Sequence, residues 1–140
     1  MGVFFTINMK LEHIGIAVKD LKSSTKLFSE LFDQESYKLE EVQSEGVRTS
    51  FFRVGESKVE LLEGTTSESP ISKFIDKKGE GIHHLAFEVK DIQSEIDRLT
   101  KLGYQLINSE PKDGADNKRI VFLHPKSTNG VLVELCQEKT

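Results

Sequence analysis

One short stretch occurs twice in this chain, and the repetition constrains the fold more than any other feature. Residues 13–20 read HIGIAVKD and residues 84–91 read HLAFEVKD, so both follow the pattern His, apolar, small, apolar, any, Val, Lys, Asp. The second copy starts 71 residues after the first in a chain of 140 residues. Two copies of one octapeptide at half-chain spacing predict two copies of one supersecondary unit.

Both copies alternate in the way that β-strands do. In the first copy the apolar side chains share one face with Ile14, whereas His13 shares the other face with small residues such as Gly15. We expect the apolar face to meet a helix, and the other face to leave room beside the imidazole ring. The second copy repeats this arrangement, with His84 and Ala86 on one face.

Each copy ends in an aspartate that can cap a helix. Asp20 precedes a helix predicted to run through Phe32, and Asp91 precedes one that Gly103 can end. The periodicity predicts these inward residues: Leu21, Leu27, Phe28, Leu31 and Phe32 in the first helix, and Ile92, Ile96, Leu99 and Leu102 in the second.

The remaining β-forming stretches complete two units of similar order. We predict strands over 47–54 and 58–63, with a further strand at about 37–42, in the first unit. The second unit has predicted strands at 104–108, 118–123 and 131–136, with a loop at 112–117 and a turn at 124–130. Each unit is therefore a strand, a helix and further strands, which indicates an α+β fold.

The boundaries follow from these elements. We place the two modules at about 10–64 and 81–137 within one domain over 9–138, and we interpret residues 1–8 as an N-terminal leader. Ser69, Pro70 and Gly79 have the order of an N-cap, a first helical residue and a helix stop, which predicts a linker helix at about 69–79.

Composition excludes several classes of partner. A net charge of −4 and a pI of about 5.6 argue against nucleic acid as a ligand. No apolar run approaches membrane-spanning length, so we expect no membrane partner. A single cysteine, Cys136, precludes an internal disulfide and fits a reducing compartment, so we expect a cytoplasmic protein.

The sequence places one histidine and one glutamate at matching positions in each module. His13 and His84 lie on the first strands, and Glu60 and Glu134 lie on the last strands, in the matching tripeptides VEL of 59–61 and 133–135. A carboxylate in an apolar strand costs several kcal/mol unless it is paired. Two imidazoles and two carboxylates that converge around a twofold axis would bind a divalent metal ion and leave positions open for a ligand.

Other chemically active side chains have simpler interpretations. His83 has the wrong strand parity for a ligand, so we interpret it as a structural or supporting residue. His124 precedes Pro125 in a turn and is not expected to bind metal. Cys136 shares a face with Glu134, but a small buried hydrophobic residue is its expected role.

These motifs resemble the vicinal oxygen chelate superfamily, and within it the methylmalonyl-CoA epimerase family. The resemblance covers residues 9–138 and rests on the stretches 13–18, 59–62, 69–74, 79–89 and 124–136. It implies a glyoxalase-type fold of two paired βαβββ modules that curl around a metal-containing cleft. It also implies an enzyme of the racemase and epimerase class that acts on an acyl-CoA. Dimers are common in the superfamily, so we expect a homodimer.

The resemblance implies roles for individual residues. His13, His84 and Glu134 occupy metal-ligand positions, and Glu60 occupies a position that relatives fill with Gln or Glu. Some epimerases carry a catalytic glutamate on the strand after the Gly-Val of the first unit, but this chain has Thr49 there. That second base therefore does not carry over to this chain.

The expected reaction is epimerisation of methylmalonyl-CoA through an enolate. A divalent ion (cobalt, zinc, manganese, nickel or iron) would stabilise the enolate, and Glu134 and Glu60 are the candidate catalytic bases. The available cations for the coenzyme A tail are Lys73, Lys77, Arg119 and Lys126.

Three alternative functions stay open on the sequence. A glyoxalase I-like lyase acting on a glutathione hemithioacetal would use the same four side chains. An extradiol-type dioxygenase would need two histidines and one carboxylate, and the extra carboxylate of Glu60 argues against it. A non-catalytic member of the superfamily would bind a small molecule in the same cleft.

Overall fold

The computed structural model describes residues 9–140 as one eight-stranded sheet with three helices. The predicted leader, residues 1–8, lies outside the described residues. The strands are β1 Met9–Ala17, β2 Lys38–Val42, β3 Val47–Val54, β4 Ser57–Gly64, β5 Gly81–Val89, β6 Lys112–Asp113, β7 Lys118–Leu123 and β8 Val133–Glu138. The helices are α1 Leu21–Phe32, α2 Pro70–Lys78 and α3 Ile92–Lys101.

The two copies seen in the sequence correspond to two halves of the sheet that are related by an approximate twofold axis. Its strand order is β2-β3-β4-β1-β5-β8-β7-β6, so each half has its module's first strand at the centre and its second strand at the edge. The first strands, β1 and β5, pair antiparallel, and each pairs on its other side with the parallel last strand of its own module. The predicted α+β fold of two βαβββ modules is confirmed.

The helices begin where the sequence predicts them. The Asp20 carboxylate accepts a hydrogen bond from the backbone N–H of Ser23 at 3.1 Å, and Asp91 caps α3 through Ser94 in the same way. Such caps satisfy N–H groups that have no partner within the helix. Ser69 caps α2, with Pro70 as its first residue.

The apolar core lies between the helices and the convex face of the sheet. Phe28 and Phe32 of α1 pack against Phe52 and Leu61 of the first module. The corresponding cluster in the second module contains Ile92, Ile96, Leu99, Val121, Leu123 and Leu135. Burial of each large apolar side chain contributes about 1.5–3 kcal/mol to folding.

Three of the predicted inward-facing helix residues are exposed, so these predictions are wrong. Leu27 and Leu31 are 58% and 67% exposed, because the face of α1 that meets the sheet follows Leu21 and Phe28 instead. Leu102 is 64% exposed, because it follows the last turn of α3 as its C-cap.

The strand predicted at 104–108 is reduced to one bridge between Leu106 and Leu123. The Asn108 side chain accepts the Phe122 N–H at 2.9 Å and so replaces a strand partner there. The predicted loop 112–117 contains the short β6, and the last strand begins at Val133 rather than at residue 131.

Polar contacts join the two edges of the curled sheet. The Asp116 carboxylate, next to β7, accepts a hydrogen bond from the Tyr37 hydroxyl at 2.9 Å, and its backbone N–H donates to Glu40 of β2. Lys112 of β6 lies 2.8 Å from the Glu45 carboxylate, just beyond β2. The concave face of the sheet is thereby enclosed. No helix within residues 9–140 is long and apolar enough to cross a membrane.

Candidate metal centre and substrate cavity

The four predicted side chains come from the four central strands and lie in two rows across the concave face. In one row Gly15 of β1 pairs with Glu60 on one side and with His84 on the other. In the second row Ala86 of β5 pairs with His13 on one side and with Glu134 on the other. The two rows are related by the twofold axis between β1 and β5, so the sheet itself brings the four groups together.

The small residue in each row makes room for the histidine of the other module. The sequence predicted space beside the imidazoles, and Gly15 shows how it is used. A Cβ atom at Gly15 would lie 2.2 Å from Cε1 of His84, which is too close for any real contact. The His84 ring therefore lies directly against the Gly15 backbone.

The four side chains form one buried cluster, which we call the metal centre: His13, Glu60, His84 and Glu134. The two Nε2 atoms of His13 and His84 are 3.0 Å apart. Glu60 lies 3.2 Å from His13, and Glu134 lies 3.4 Å from His84. Each of the four residues is at most 5% exposed.

The donor set fits a divalent transition metal. His13, His84 and Glu134 each offer a ligand atom, and these atoms lie within 4.8 Å of one another. Imidazole nitrogens with carboxylate oxygens suit zinc, iron, cobalt, nickel and manganese. Such an ion would also balance the two carboxylates that the strands bury here.

The buried groups of the cluster shift one another's pKa values. Burial alone would lower the pKa of His13, but the carboxylates of Glu60 and Glu12 outweigh it and raise this pKa to about 10. Burial and the neighbouring His13 hold the pKa of His84 well below its usual value. Burial raises the pKa of Glu134 to about 7. A divalent metal ion that bound these side chains would displace protons from them, because it binds neutral imidazoles and ionised carboxylates.

Two further residues contact the outer ring nitrogens of the histidines. The Glu12 carboxylate lies 3.4 Å from Nδ1 of His13, and Nδ1 of His83 lies 2.9 Å from Nδ1 of His84. Strand alternation does not predict the contact of Glu12 with His13, and the sequence analysis missed it. For His83 the sequence analysis expected a structural or supporting role. The supporting role of His83 is consistent with this contact.

A cavity of about 230 Å³ opens from the metal centre. Most of its wall is apolar and comes from both modules: Val47, Leu62, Ile71, Ile120, Phe122 and Leu132. Its polar side includes Glu60, His84 and Glu134, together with the ion pair of Glu45 and Lys112. An apolar pocket with a few convergent polar groups is typical of a small-molecule site.

The cations predicted for a coenzyme A tail do not line this cavity. Lys73 and Lys77 lie on α2 beside a separate shallow pocket, and Lys73 pairs with Glu68 at 3.6 Å. Arg119 and Lys126 are exposed, on β7 and in the turn after it. The lysine in the cavity wall is Lys112, which the sequence analysis placed in a loop without a role.

The other residues singled out in the sequence have structural surroundings. Thr49 is fully buried and its hydroxyl donates to the Glu40 carbonyl, so no carboxylate stands at that position. His124 accepts the Lys126 backbone N–H in the turn, away from the metal centre. Cys136 is fully buried, and burial raises the pKa of its thiol.

Comparison with known proteins identifies the class to which this fold and centre belong. The sequence profile of the Glyoxalase/Bleomycin resistance protein/Dioxygenase superfamily matches residues 12–122. The chain belongs to this superfamily, which is the vicinal oxygen chelate superfamily that its motifs resemble.

Within the superfamily, the chain is similar to methylmalonyl-CoA epimerases. It is 40% identical over 127 residues to the mitochondrial methylmalonyl-CoA epimerase of Dictyostelium discoideum, covering 90% of this chain and 76% of the relative. It is 39% identical over 130 residues to the ethylmalonyl-CoA/methylmalonyl-CoA epimerase of Cereibacter sphaeroides, covering 91% and 97%.

The same family appears among solved structures. A methylmalonyl-CoA epimerase in complex with methylmalonyl-CoA and NH4+ superimposes with a TM-score of 0.91 at 32% identity, covering 95% of this chain and 96% of that one. The resemblance to methylmalonyl-CoA epimerases inferred from the sequence motifs is confirmed.

Proposed function

We propose that this chain is an epimerase that interconverts the two epimers of methylmalonyl-CoA. The observation that carries the proposal is the buried cluster of two histidines and two glutamates, which opens into an apolar cavity in a chain 40% identical to such an epimerase. The complex of a related epimerase with methylmalonyl-CoA supports an acyl-CoA substrate. The name of the Cereibacter relative makes ethylmalonyl-CoA a second substrate to test.

We infer that a divalent metal ion is the cofactor. His13, His84, Glu134 and Glu60 would hold it, with the cavity on the open side. When bound, the ion would supply positive charge that stabilises the negative oxygen developing on the substrate as its α-proton leaves. Cobalt, zinc, manganese, nickel and iron all suit this donor set.

The two glutamates are the candidate acid and base. Glu134 accepts the α-proton as the C–H bond breaks, which leaves an enolate. Glu60 then relays a proton from solvent to the opposite face, so that a new C–H bond forms and the α-carbon is inverted. The pair is set for this because Glu60 and Glu134 approach from opposite modules and both line the cavity. Exchange with solvent restores the starting protonation states.

The rest of the substrate needs contacts beyond the centre. Lys112 is the cation in the cavity wall, and release from Glu45 would free it for a negative group of the substrate. Lys73, Lys77, Arg119 and Lys126 remain predicted contacts of the coenzyme A tail, which would extend out of the cavity. The homodimer also remains a prediction.

Proton NMR in deuterium oxide tests the proposal. One epimer of methylmalonyl-CoA is incubated with protein loaded separately with Zn²⁺, Co²⁺, Mn²⁺ or Ni²⁺. After the incubation, EDTA is added to remove the metal ion before each spectrum is recorded. We expect deuterium at the α-carbon with loss of configuration for at least one ion, and none when EDTA is added first. Ethylmalonyl-CoA is tested in parallel.

The negative outcome is equally specific. Protein that binds metal but catalyses no exchange with either thioester would contradict the epimerase assignment and leave the centre intact. A glutathione hemithioacetal is then the substrate to test, because its isomerisation uses the same proton chemistry. Metal-loaded protein that is inactive on the two thioesters and on the hemithioacetal would indicate a binding protein.

A further inference from the structure

Two symmetry-related irregularities interrupt the seam between β1 and β5. Leu11 pairs with Phe87 and His13 pairs with Ala86, so Glu12 has no partner on β5. Gly15 pairs with His84 and Ile16 pairs with Ile82, so His83 has no partner on β1. One unpaired residue opposite a continuous strand is a β-bulge, and bulges often re-aim side chains beside functional sites.

The two bulged residues are equivalent in the duplicated units. Glu12 comes directly before His13, and His83 comes directly before His84, with the same separation of 71 residues as the histidines themselves. Regular alternation would send both side chains to the convex face, away from the metal centre. Each instead contacts Nδ1 of the following histidine. The same departure from strand geometry, with the same outcome, occurs in both modules although the residue types differ.

We propose that Glu12 and His83 are positioning residues that fix the ring orientation and tautomer of His13 and His84. A histidine that binds a metal through Nε2 carries its proton on Nδ1, and an acceptor there holds the ring in place and strengthens the ligand. The Glu12 carboxylate is such an acceptor for His13. Nδ1 of His83, 2.9 Å from Nδ1 of His84, is placed to be such an acceptor for His84. This inference rests on the metal centre proposed above.

The surroundings of Glu12 favour this role over a simple surface ion pair. Glu12 is 2% exposed, and Lys58 lies 3.1 Å from Oε1, the same carboxylate oxygen that faces Nδ1 of His13. Lys118, itself 3% exposed, lies 4.0 Å from the other oxygen. Each carboxylate oxygen of Glu12 therefore has a lysine nearby, and the carboxylate faces Nδ1 of His13 at 3.4 Å, which is long for a hydrogen bond.

The surroundings of His83 restrict its ring in a comparable way. The edge of the ring meets Phe74 of α2 with 4.9 Å between ring centroids, and the His83 and His84 rings are nearly perpendicular. The side of His83 also lines the cavity. The ring is therefore held between the linker helix and His84 rather than extended into solvent.

Metal affinity of paired variants tests the inference. Zn²⁺ affinity is measured by competition with a chromophoric chelator for Glu12→Leu and Glu12→Gln, and for His83→Leu and His83→Asn. We expect the leucine variants to bind Zn²⁺ roughly 10–100-fold more weakly, which is the usual effect of removing such a partner. The Gln and Asn variants retain an acceptor oxygen and should lose less than the corresponding leucine variants.

The matched control is Glu88→Gln. Glu88 also lies near Lys118, at 3.4 Å, but its second partner is Lys10 rather than His13. The control removes the same charge from the same ionic surroundings, so its Zn²⁺ affinity should stay within about threefold of wild type. A loss in Glu88→Gln as large as that in Glu12→Leu would overturn the role of Glu12, and unchanged affinity in both leucine variants would overturn the whole inference.

Nitrogen-15 NMR of the wild-type protein labelled at histidine gives a readout that does not depend on whether a variant folds. In the Zn²⁺-loaded protein we expect both His13 and His84 to carry their protons on Nδ1. Protonation at Nε2 of either ring would overturn the inference for that ring. Wild-type protein that binds no Zn²⁺ or Co²⁺ would instead overturn the metal centre itself, and this inference with it.

Discussion

At the scale of single residues, the metal centre depends on the small residues beside its histidines as well as on the histidines and glutamates themselves. Gly15 has no side chain, and the His84 ring fills the space where one would be. Ala86 stands at the equivalent position opposite His13. The small residues of the repeated octapeptide are therefore part of the metal centre, because each makes space for the histidine of the other module.

The substitution Gly15→Ala tests this packing. Its methyl group would collide with the His84 ring at 2.2 Å, so the ring must move away from the other three ligands. We expect Zn²⁺ affinity to fall at least tenfold, measured by chelator competition. Gly103→Ala is the control, because it adds one methyl group at a strained positive φ with no atom within 4 Å. That variant should lose stability and keep its metal affinity; equal affinity in both variants would contradict the prediction.

The substitution Glu134→Gln tests the proposed base. Glutamine keeps the size and an oxygen ligand but cannot accept the α-proton. We expect α-deuterium exchange, measured by NMR at saturating metal, to fall by roughly 10²–10⁴-fold. Measured metal content separates loss of the ion from loss of the base. A variant that retains the ion and exchanges at the wild-type rate would show that Glu134 is not the base.

The sequence predicts that the four candidate ligands lie together, but it does not predict that Glu12 contacts His13. His13, Glu60, His84 and Glu134 recur at matching positions, and strand parity places them on one face. Glu12 has the opposite parity, and it reaches the same face only because a bulge resets the alternation. A bulge depends on pairing between strands far apart in the chain, which local periodicity does not record.

At the scale of the elements, the local sequence determines where the helices begin, but it does not determine which of their faces are buried. Asp20, Ser69 and Asp91 cap the three helices as their side-chain chemistry predicts. Leu27 and Leu31 are apolar yet exposed, because the helix meets the sheet along only one row of side chains. A cap needs only its own first turn, whereas a buried face depends on a partner element that the local sequence does not specify.

The caps should contribute to stability without affecting the metal centre. Asp91→Ala removes the acceptor of the Ser94 N–H, and we expect it to lower the free energy of unfolding by about 0.5–2 kcal/mol in urea denaturation. Asp91→Ser keeps an acceptor and should lose less. Zn²⁺ affinity should be unchanged in both. Equal stability of the alanine variant and wild type would show that the cap contributes nothing.

At the scale of the whole molecule, the curled sheet is closed by a polar cluster between its edges. Asp116, from the loop before β7, accepts hydrogen bonds from Tyr37, Lys38 and Lys58. These partners all belong to the first module, so Asp116 joins the second module to the first. The sequence showed this loop only as a Gly-, Asp- and Asn-rich connection.

Asp116 makes stability depend on pH. Burial alone would raise the pKa of its carboxyl, but hydrogen bonds from Lys58 and Tyr37 outweigh it and hold the pKa below its usual value. Its contribution is therefore complete above the unfolded pKa of about 3.9 and is lost as pH falls through the folded pKa. We expect Asp116→Asn to be less stable than wild type by about 1–3 kcal/mol at pH 7.

Urea denaturation from pH 7 down to pH 2.5 checks this prediction. The difference between wild type and Asp116→Asn should shrink at the acid end, because the protonated aspartic acid and asparagine are both neutral. A difference that stays constant over this range would show that the charge of Asp116 is not what closes the sheet. Asp113→Asn is a control, because its carboxylate is 76% exposed.

The antiparallel seam makes the two modules dependent on each other. Each module alone carries one histidine and one glutamate of the centre, and the His84 ring of the second module packs directly against Gly15 of the first. If the chain were divided within α2 and its halves produced separately, neither half would possess a complete donor set. Recovery of tight metal binding on mixing would then report complementation of the halves along β1 and β5 in their correct register.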